Sequence, residues 1–217
     1  NDFTAVALSL RSLPPSAFMA IGPGANLDDA KCVAVIGPGT GLGMAALVPH
    51  GQGWAAIATE GGQTRYAPAN SDERHLIDQI ARRHIFVTNE QLVSGSGLVN
   101  IYRALGEEQN GRPMEPADVV DQARGGQARA REALNMFAAI FGSFASQAAL
   151  SYIALGGVYL TGGVLQKIGA DFAVDRFLQR FATNPQMAPL LHQMPVLRVN
   201  ADIPAFAGLQ YLLSQQS

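Results

Sequence analysis

The spacing of apolar residues changes along the chain, and the change separates two kinds of structure. An apolar stretch at residues 5–10 (Ala-Val-Ala-Leu-Ser-Leu) predicts an opening helix, and Pro14-Pro15 and Gly22-Pro23-Gly24 then mark a turn-rich connection. Residues 33–36 and 44–48 are apolar runs of strand length, and a third lies at 54–58 beyond Gly51-Gln52-Gly53. Together they predict an antiparallel meander. From Asp72 the spacing becomes helical, with Leu76, Ile77 and Ile80 on one face and Asp72, Glu73, Asp78 and Arg82 on the other. Thr88-Asn89-Glu90-Gln91 has the form of a capping box and predicts a helix start, broken by Ser94-Gly95-Ser96-Gly97 before the helix resumes at 98–105. Further helices are predicted at 117–124, 126–154, 171–182 and 204–215, and strands at 158–160 and 195–200. Strands first and helix–strand alternation later predict an α/β fold, a mixed sheet covered by helices.

Composition narrows the function. The 217 residues are 48% hydrophobic and 15% charged, with a net charge of -2, which suits a soluble globular protein and leaves no basic footprint for nucleic acid or an anionic membrane. Neither partner is expected. Residues 135–166 carry no charge, yet Ser143, Ser146, Gln147 and Ser151 interrupt the apolar run and Gly156-Gly157 ends it, so a buried core helix is expected there rather than a membrane span. Cys32 is the only cysteine, which excludes an internal disulfide and a cysteine-based zinc site and fits a reducing, cytoplasmic setting. Histidines 50, 75, 84 and 192 show no paired ligand spacing, so no protein-held metal is expected. The start, Asn1-Asp2-Phe3, has no initiator Met and reads as a segment of a longer protein.

The main candidate for chemistry is Gly37-Pro-Gly-Thr-Gly-Leu-Gly43, between two predicted strands. A Walker loop needs Gly-Lys-Ser/Thr opening a helix, and a dinucleotide fingerprint needs G-x-G-x-x-G before a helix. Neither pattern is met. A strand–loop–strand of this kind can still turn backbone N–H groups toward an anion, and it can equally be an ordinary glycine-rich hairpin.

The neighbours of the loop add to it. The series Asn-Asp-Phe at 1–3, Gly-x-Gly-Thr-Gly-Leu-Gly at 37–43, Glu-Gly-Gly-x at 60–63, Asn-Glu-x-x-x-Ser-Gly-x-Gly-Leu at 89–98 and Thr-Gly-Gly-Val at 161–164 resembles the bacterial glucokinase family of the hexokinase/actin-like superfamily, in order and spacing, over nearly the whole chain. The resemblance implies an actin-like ATPase (ribonuclease H-like) large domain at 14–202. It implies a small-domain or hinge remnant at 1–13 and a last helix at 203–217 that packs on the small domain. That helix is expected to redock, self-associate or move, which makes a homodimer one outcome. The resemblance further implies ATP with Mg²⁺ as phosphoryl donor and glucose or a similar hexose as acceptor. Asp2 would be the general base, Asn1, Glu60, Gln63 and Glu90 would bind sugar hydroxyls, Gly39, Thr40 and Gly41 would cradle the β/γ-phosphates, and Gly162 and Gly163 would form the adenosine-side turn.

Two departures matter. Gln63 stands where the family pattern has a sugar-contacting histidine, which costs one hydrogen bond, ~1 kcal/mol, or changes sugar preference. The family's Asp-x-Gly-x-Thr-Asn phosphate motif is absent from these residues. The chain alone is therefore expected to be weakly active or inactive. A non-catalytic sugar-binding protein or regulator on the same scaffold is the alternative, and the retained Asp2 argues against it. A nucleotide-binding oxidoreductase rests on the glycines alone.

Overall fold

A computed structural model of the chain describes residues 2–22, 30–51, 53–106 and 114–200. Its strands are β1 (Phe18–Ala20), β2 (Val33–Pro38), β3 (Leu42–His50), β4 (Gly53–Ala58), β5 (Gly157–Leu160) and β6 (Val196–Val199). They form one mixed sheet in the order β1-β6-β5-β2-β3-β4. The expected meander is β2-β3-β4, both pairings antiparallel, while β5 and β6 add in parallel and β1 runs antiparallel to β6 at the edge. Every residue of β2 and β5 is buried because both sheet faces are covered, which is why these strands read as apolar runs rather than as alternation.

The period of two nevertheless divides the two faces. Ala34, Ile36, Val158 and Leu160 point into the larger core, and Val33, Val35 and Tyr159 point into a smaller one on the opposite face. Helix α1 (Asp2–Ser9) closes the smaller side, burying Ala7 and Leu8 against the sheet. The larger side holds α2 (Ser71–Ala81), α3 (Gly95–Ala104), α4 (Pro116–Arg124), α5 (Ala128–Tyr152), α6 (Gly163–Ile168), α7 (Val174–Phe181) and α8 (Ala188–Leu191).

Helix α5 is long and apolar enough to cross a membrane, but Phe137, Phe141 and Ala145 are fully buried in the protein, so it is the expected core helix. It approaches α7 closely at Gly142, where a Cβ would lie 2.3 Å from the Phe177 carbonyl oxygen. The ring of Phe177 then meets Phe141 edge-on at 5.4 Å between centroids.

Helices α2, α5 and α7 are also joined by a buried polar network. Glu73 on α2 pairs with Arg180 on α7 and accepts from Tyr66 Oη at 2.8 Å and from the Ala69 N–H at 2.7 Å. Arg180 also donates to Ser143 Oγ of α5 at 2.7 Å. Burial acts to raise the Glu73 pKa, but the Arg180 guanidinium and the two further donors outweigh it and hold the carboxyl below its usual range. Burial, and then the adjacent carboxylate, push the Tyr66 hydroxyl up.

Three local expectations are corrected. No helix starts at Thr88: the reciprocal bonds of a capping box do form, Thr88 N–H to Gln91 Oε1 and Gln91 N–H to Thr88 Oγ1, but they close a single turn. Ser94-Gly95-Ser96-Gly97 is the start of α3 rather than a break. Ser94 is its N-cap and accepts from the Gly97 N–H at 3.0 Å, and Gly97 lies so close to Leu92 that a Cβ would meet its backbone at 2.5 Å. Predicted helix 171–182 is a 3₁₀ turn at Gly169–Asp171 followed by α7. The predicted helix at 204–215 lies outside the described residues.

Candidate active site

The pairing of β2 with β3 continues through Gly37–Gly43 and Pro38–Leu42, so the tip of the hairpin is only Gly39-Thr40-Gly41. Its glycines serve different contacts. A Cβ on Gly43 would lie 2.1 Å from Phe3 Cδ2, and one on its cross-strand partner Gly37 would lie 3.0 Å from Phe3 Cζ. The pair is bare so that the Phe3 ring can seat on the hairpin and fix the start of α1. A Cβ on Gly41 would lie 2.5 Å from Glu90 Oε2. A Cβ on Gly39 would meet only the Gly41 carbonyl oxygen, at 4.0 Å, and the Gly39 N–H donates to that same carbonyl at 2.8 Å. That N–H is used within the tip.

The carboxylate of Glu90 sits against this tip. Strand β4 pairs with β3 only as far as Ala45, and beyond that point the Leu42 N–H donates to Glu90 Oε2 at 2.9 Å. The other oxygen, Oε1, accepts from Gln63 Nε2 at 2.9 Å. Gln63 ends a 3₁₀ turn, Gly61–Gln63, that packs on β3: a Cβ on Gly62 would meet the Leu42 carbonyl oxygen at 2.4 Å. The Glu90 N–H donates to the Gly62 carbonyl, and the Asn89 N–H to that of Thr64, which ties the two segments together. Glu60 precedes this turn and is exposed. Thus the Gln63–Glu90 bond brings Glu90 to the turn that Glu60 and Gln63 flank, although Glu90 lies 27 residues beyond Gln63.

On the neighbouring side of the tip lies a cleft of about 550 Å³. Gly39 and Thr40 line one wall, Gly163 and Val164 another, and Gly95, Ser96, Asn100 and Arg103 of α3 a third, with Met114, Glu115, Pro116 and Lys167 completing it. The Gly95 N–H donates to the Gly39 carbonyl at 2.9 Å, so the start of α3 holds the tip in place. Gly162, with φ 105° and a would-be Cβ 2.4 Å from the Pro38 carbonyl oxygen, makes the turn from β5 into α6. Gly163, in contrast, has nothing within 4 Å of a Cβ position and opens onto the cleft. The other end of α6 is held by Arg198, which donates to the carbonyls of Leu165 and Gly169, and by Arg124, which donates to that of Ile168.

The cleft combines two cations, Arg103 and Lys167, one carboxylate, Glu115, hydroxyl and amide groups, and an apolar side of Val99, Met114 and Val164. This suits a ligand with both an anionic and a flat apolar part. The sequence reading had Gly39, Thr40 and Gly163 here and missed Ser96, Asn100 and Arg103. Their spacing on one face of a helix that begins with Ser-Gly-Ser-Gly was the signal for them. Among the described residues no three His, Cys, Asp or Glu side chains come together as a metal site. Asn1 lies outside the described residues, and only the backbone of Asp2 is described, at the first position of α1.

The glucokinase family model matches residues 1–216. The chain is 43% identical over 214 residues to a glucokinase of Chromobacterium violaceum, covering 96% of the chain and 61% of that protein. It is 38% identical over 218 residues to a glucokinase of Paramagnetospirillum magneticum, covering 99% and 68%. The solved glucokinase of an Antarctic psychrotroph superposes with a TM-score of 0.89 at 30% identity, covering 99% of this chain and 67% of that one. The chain therefore spans roughly two thirds of these relatives, matching their carboxy-terminal part, and its α/β sheet and helices have the actin-like ATPase fold that they share. On its motifs, its fold and these matches, the chain belongs to the glucokinase family.

Proposed function

We propose that these residues form the sugar site and the larger part of the nucleotide site of an ATP-dependent hexose kinase that phosphorylates glucose at its 6-hydroxyl. The observation that carries the reading is the hydrogen bond from the Leu42 N–H to Glu90. It sets the Glu90 carboxylate beside the glycine hairpin tip, whose Gly39 and Thr40 line the cleft, and this supports reading Glu90 as a hydroxyl-binding group. In this reading Glu60, Gln63 and Glu90, with Asn1, bind sugar hydroxyls, each carboxylate oxygen being an acceptor. Thr40, Gly41 and the neighbouring tip face the phosphates, Gly162 and Gly163 shape the adenosine side, and Arg103 and Lys167 supply positive charge.

Asp2 takes the proton of the 6-hydroxyl as that oxygen bonds to the γ-phosphorus and the bond to the bridging β–γ oxygen breaks, releasing ADP. A positioned base contributes about 10²- to 10⁴-fold. Seating of Phe3 on Gly37 and Gly43 supports this role, since it fixes the first turn of α1 beside the hairpin. Mg²⁺ arrives with ATP and offsets phosphate charge. Because the Asp-x-Gly-x-Thr-Asn motif is missing from these residues, transfer by the chain alone is slow or absent, and binding is the appropriate assay. A cytoplasmic site of action accords with a phosphoryl donor drawn from the cell's ATP.

The test uses Gly163→Leu, which fills the cleft from a position with room for a side chain. MgATP binds to the parent chain and at least tenfold more weakly to the variant, while glucose affinity and thermal stability hold. Equal MgATP affinity for both chains overturns the nucleotide assignment.

A further inference from the structure

Lys31 and Lys167 are the only lysines of the chain, and every other basic side chain apart from the histidines is an arginine. The distinction matters chemically, because a guanidinium keeps its proton whereas an amine can shed one and become a nucleophile. Lys31 is exposed just before β2, away from the cleft, but Lys167 lines the cleft together with Gly39, Thr40 and Arg103. The backbone that carries Lys167 is fixed from outside the cleft. Arg124 Nη2 donates to the Lys167 and Ile168 carbonyls, each at 3.4 Å, Arg198 Nη1 donates to that of Gly169 at 2.7 Å, and Asp171 Oδ2 holds Arg124 Nε at 2.7 Å. Among the described residues the Lys167 ammonium itself makes no ion pair. A side chain rooted in a fixed turn thus brings an uncommitted amine to a cleft that faces phosphate.

We propose that Lys167 is a modification site, acylated by small acyl phosphates that the cleft holds by their phosphate group, and that the modification weakens nucleotide binding. The proposal rests on the phosphate-binding reading of the cleft given above. With the phosphate held by the cleft, the acyl carbon is presented to the neighbouring amine. The deprotonated Nζ attacks that carbon and an N–C bond forms. The bond from the acyl carbon to the bridging oxygen breaks, its electron pair leaves with the oxygen as inorganic phosphate, and the proton shed by nitrogen passes to water. Nothing is oxidised or reduced. The product is a neutral amide, so the charged side chains of the cleft, Arg103, Lys167 and Glu115, fall from a net single positive charge to neutrality. A nucleotide, which carries its own negative charge into the cleft, then binds less tightly.

The experiment is incubation of the parent chain with acetyl phosphate, followed by mass spectrometry of the peptides that carry the two lysines. Lys167 is expected to gain acetyl about tenfold or more faster than Lys31, because its acyl donor is held beside it rather than met by collision. Saturating MgADP suppresses the reaction at Lys167 and leaves Lys31 unchanged. The N-hydroxysuccinimide ester of acetic acid, an activated acyl donor without a phosphate, supplies the ratio set by exposure alone, and with it the preference for Lys167 is lost. A second measurement uses Lys31→Arg, in which Lys167 is the only lysine: after acetylation it binds MgADP about two- to fivefold more weakly, the contribution of one exposed ion pair. The same lysine ratio with both reagents, or no protection by MgADP, overturns the site, and unchanged MgADP affinity after acetylation overturns its consequence. Calorimetry of the unmodified chain separates the two readings. MgADP that binds while acetylation stays unselective overturns this proposal alone, and MgADP that fails to bind overturns the phosphate reading and this proposal with it.

Discussion

Replacement of Gly43 by alanine tests whether the hairpin glycines exist for Phe3. In a strand, alanine is intrinsically better than glycine by roughly 0.5–1 kcal/mol, because glycine loses more backbone freedom on folding. Against this, the new methyl carbon would lie 2.1 Å from Phe3 Cδ2 and 2.6 Å from Cγ, so the ring must leave its seat. Overpacking of this kind costs about 1–3 kcal/mol. The clash wins, and a net loss of about 1–2 kcal/mol is expected. Phe3→Ala removes a half-buried ring and costs about 1–2 kcal/mol, below the range for a fully buried one. In the double variant nothing is left to clash, so it is no less stable than Phe3→Ala alone, and the two single losses do not add. The assay is urea unfolding of the four chains as a double-mutant cycle, with an expected coupling of about 1–2 kcal/mol. Additive losses, or a Gly43→Ala chain as stable as the parent, would show that Phe3 is not seated on the hairpin.

Two further outcomes are expected. Arg180→Met leaves the Glu73 carboxylate buried without its cation and lowers stability at neutral pH by about 3–5 kcal/mol. In the parent chain the Glu73 pKa is depressed, so the network's contribution is fully present above the unfolded-state value near 4.3 and is lost as pH falls through the folded one. Arg180→Met reverses the slope and gains stability on acidification, which urea midpoints across acid to neutral pH would register. Gln63→His puts an imidazole against Glu90, whose carboxylate favours the charged ring, so glucose affinity acquires a pH dependence above the free imidazole value of about 6.5, measurable by calorimetry at several pH values.

The amount that the sequence revealed depended on how local each determinant was. The meander was legible because its strands are apolar runs separated by glycine turns, and α5 because its apolar surface extends over 25 residues. The false helix at Thr88 came from capping chemistry that is equally able to close an isolated turn. Strand β1 was missed because three residues paired to distant β6 carry no periodicity of their own. Around the candidate site, the motifs name residues but not their partners. Gly37, Gly41 and Gly43 read as parts of one glycine loop, and the structure adds what each makes room for, Phe3 beside Gly37 and Gly43 and Glu90 beside Gly41. Those are contacts between segments dozens of residues apart, and no local pattern encodes them.

The central claim is that Glu60, Gln63 and Glu90 form a sugar site within these residues. Calorimetric titration of the chain with glucose, with mannose as comparison and Glu90→Ala as control, tests it most directly. The account predicts saturable glucose binding at millimolar affinity or better, lost in Glu90→Ala. The absence of heat with either sugar, or equal glucose binding by the control, would contradict it.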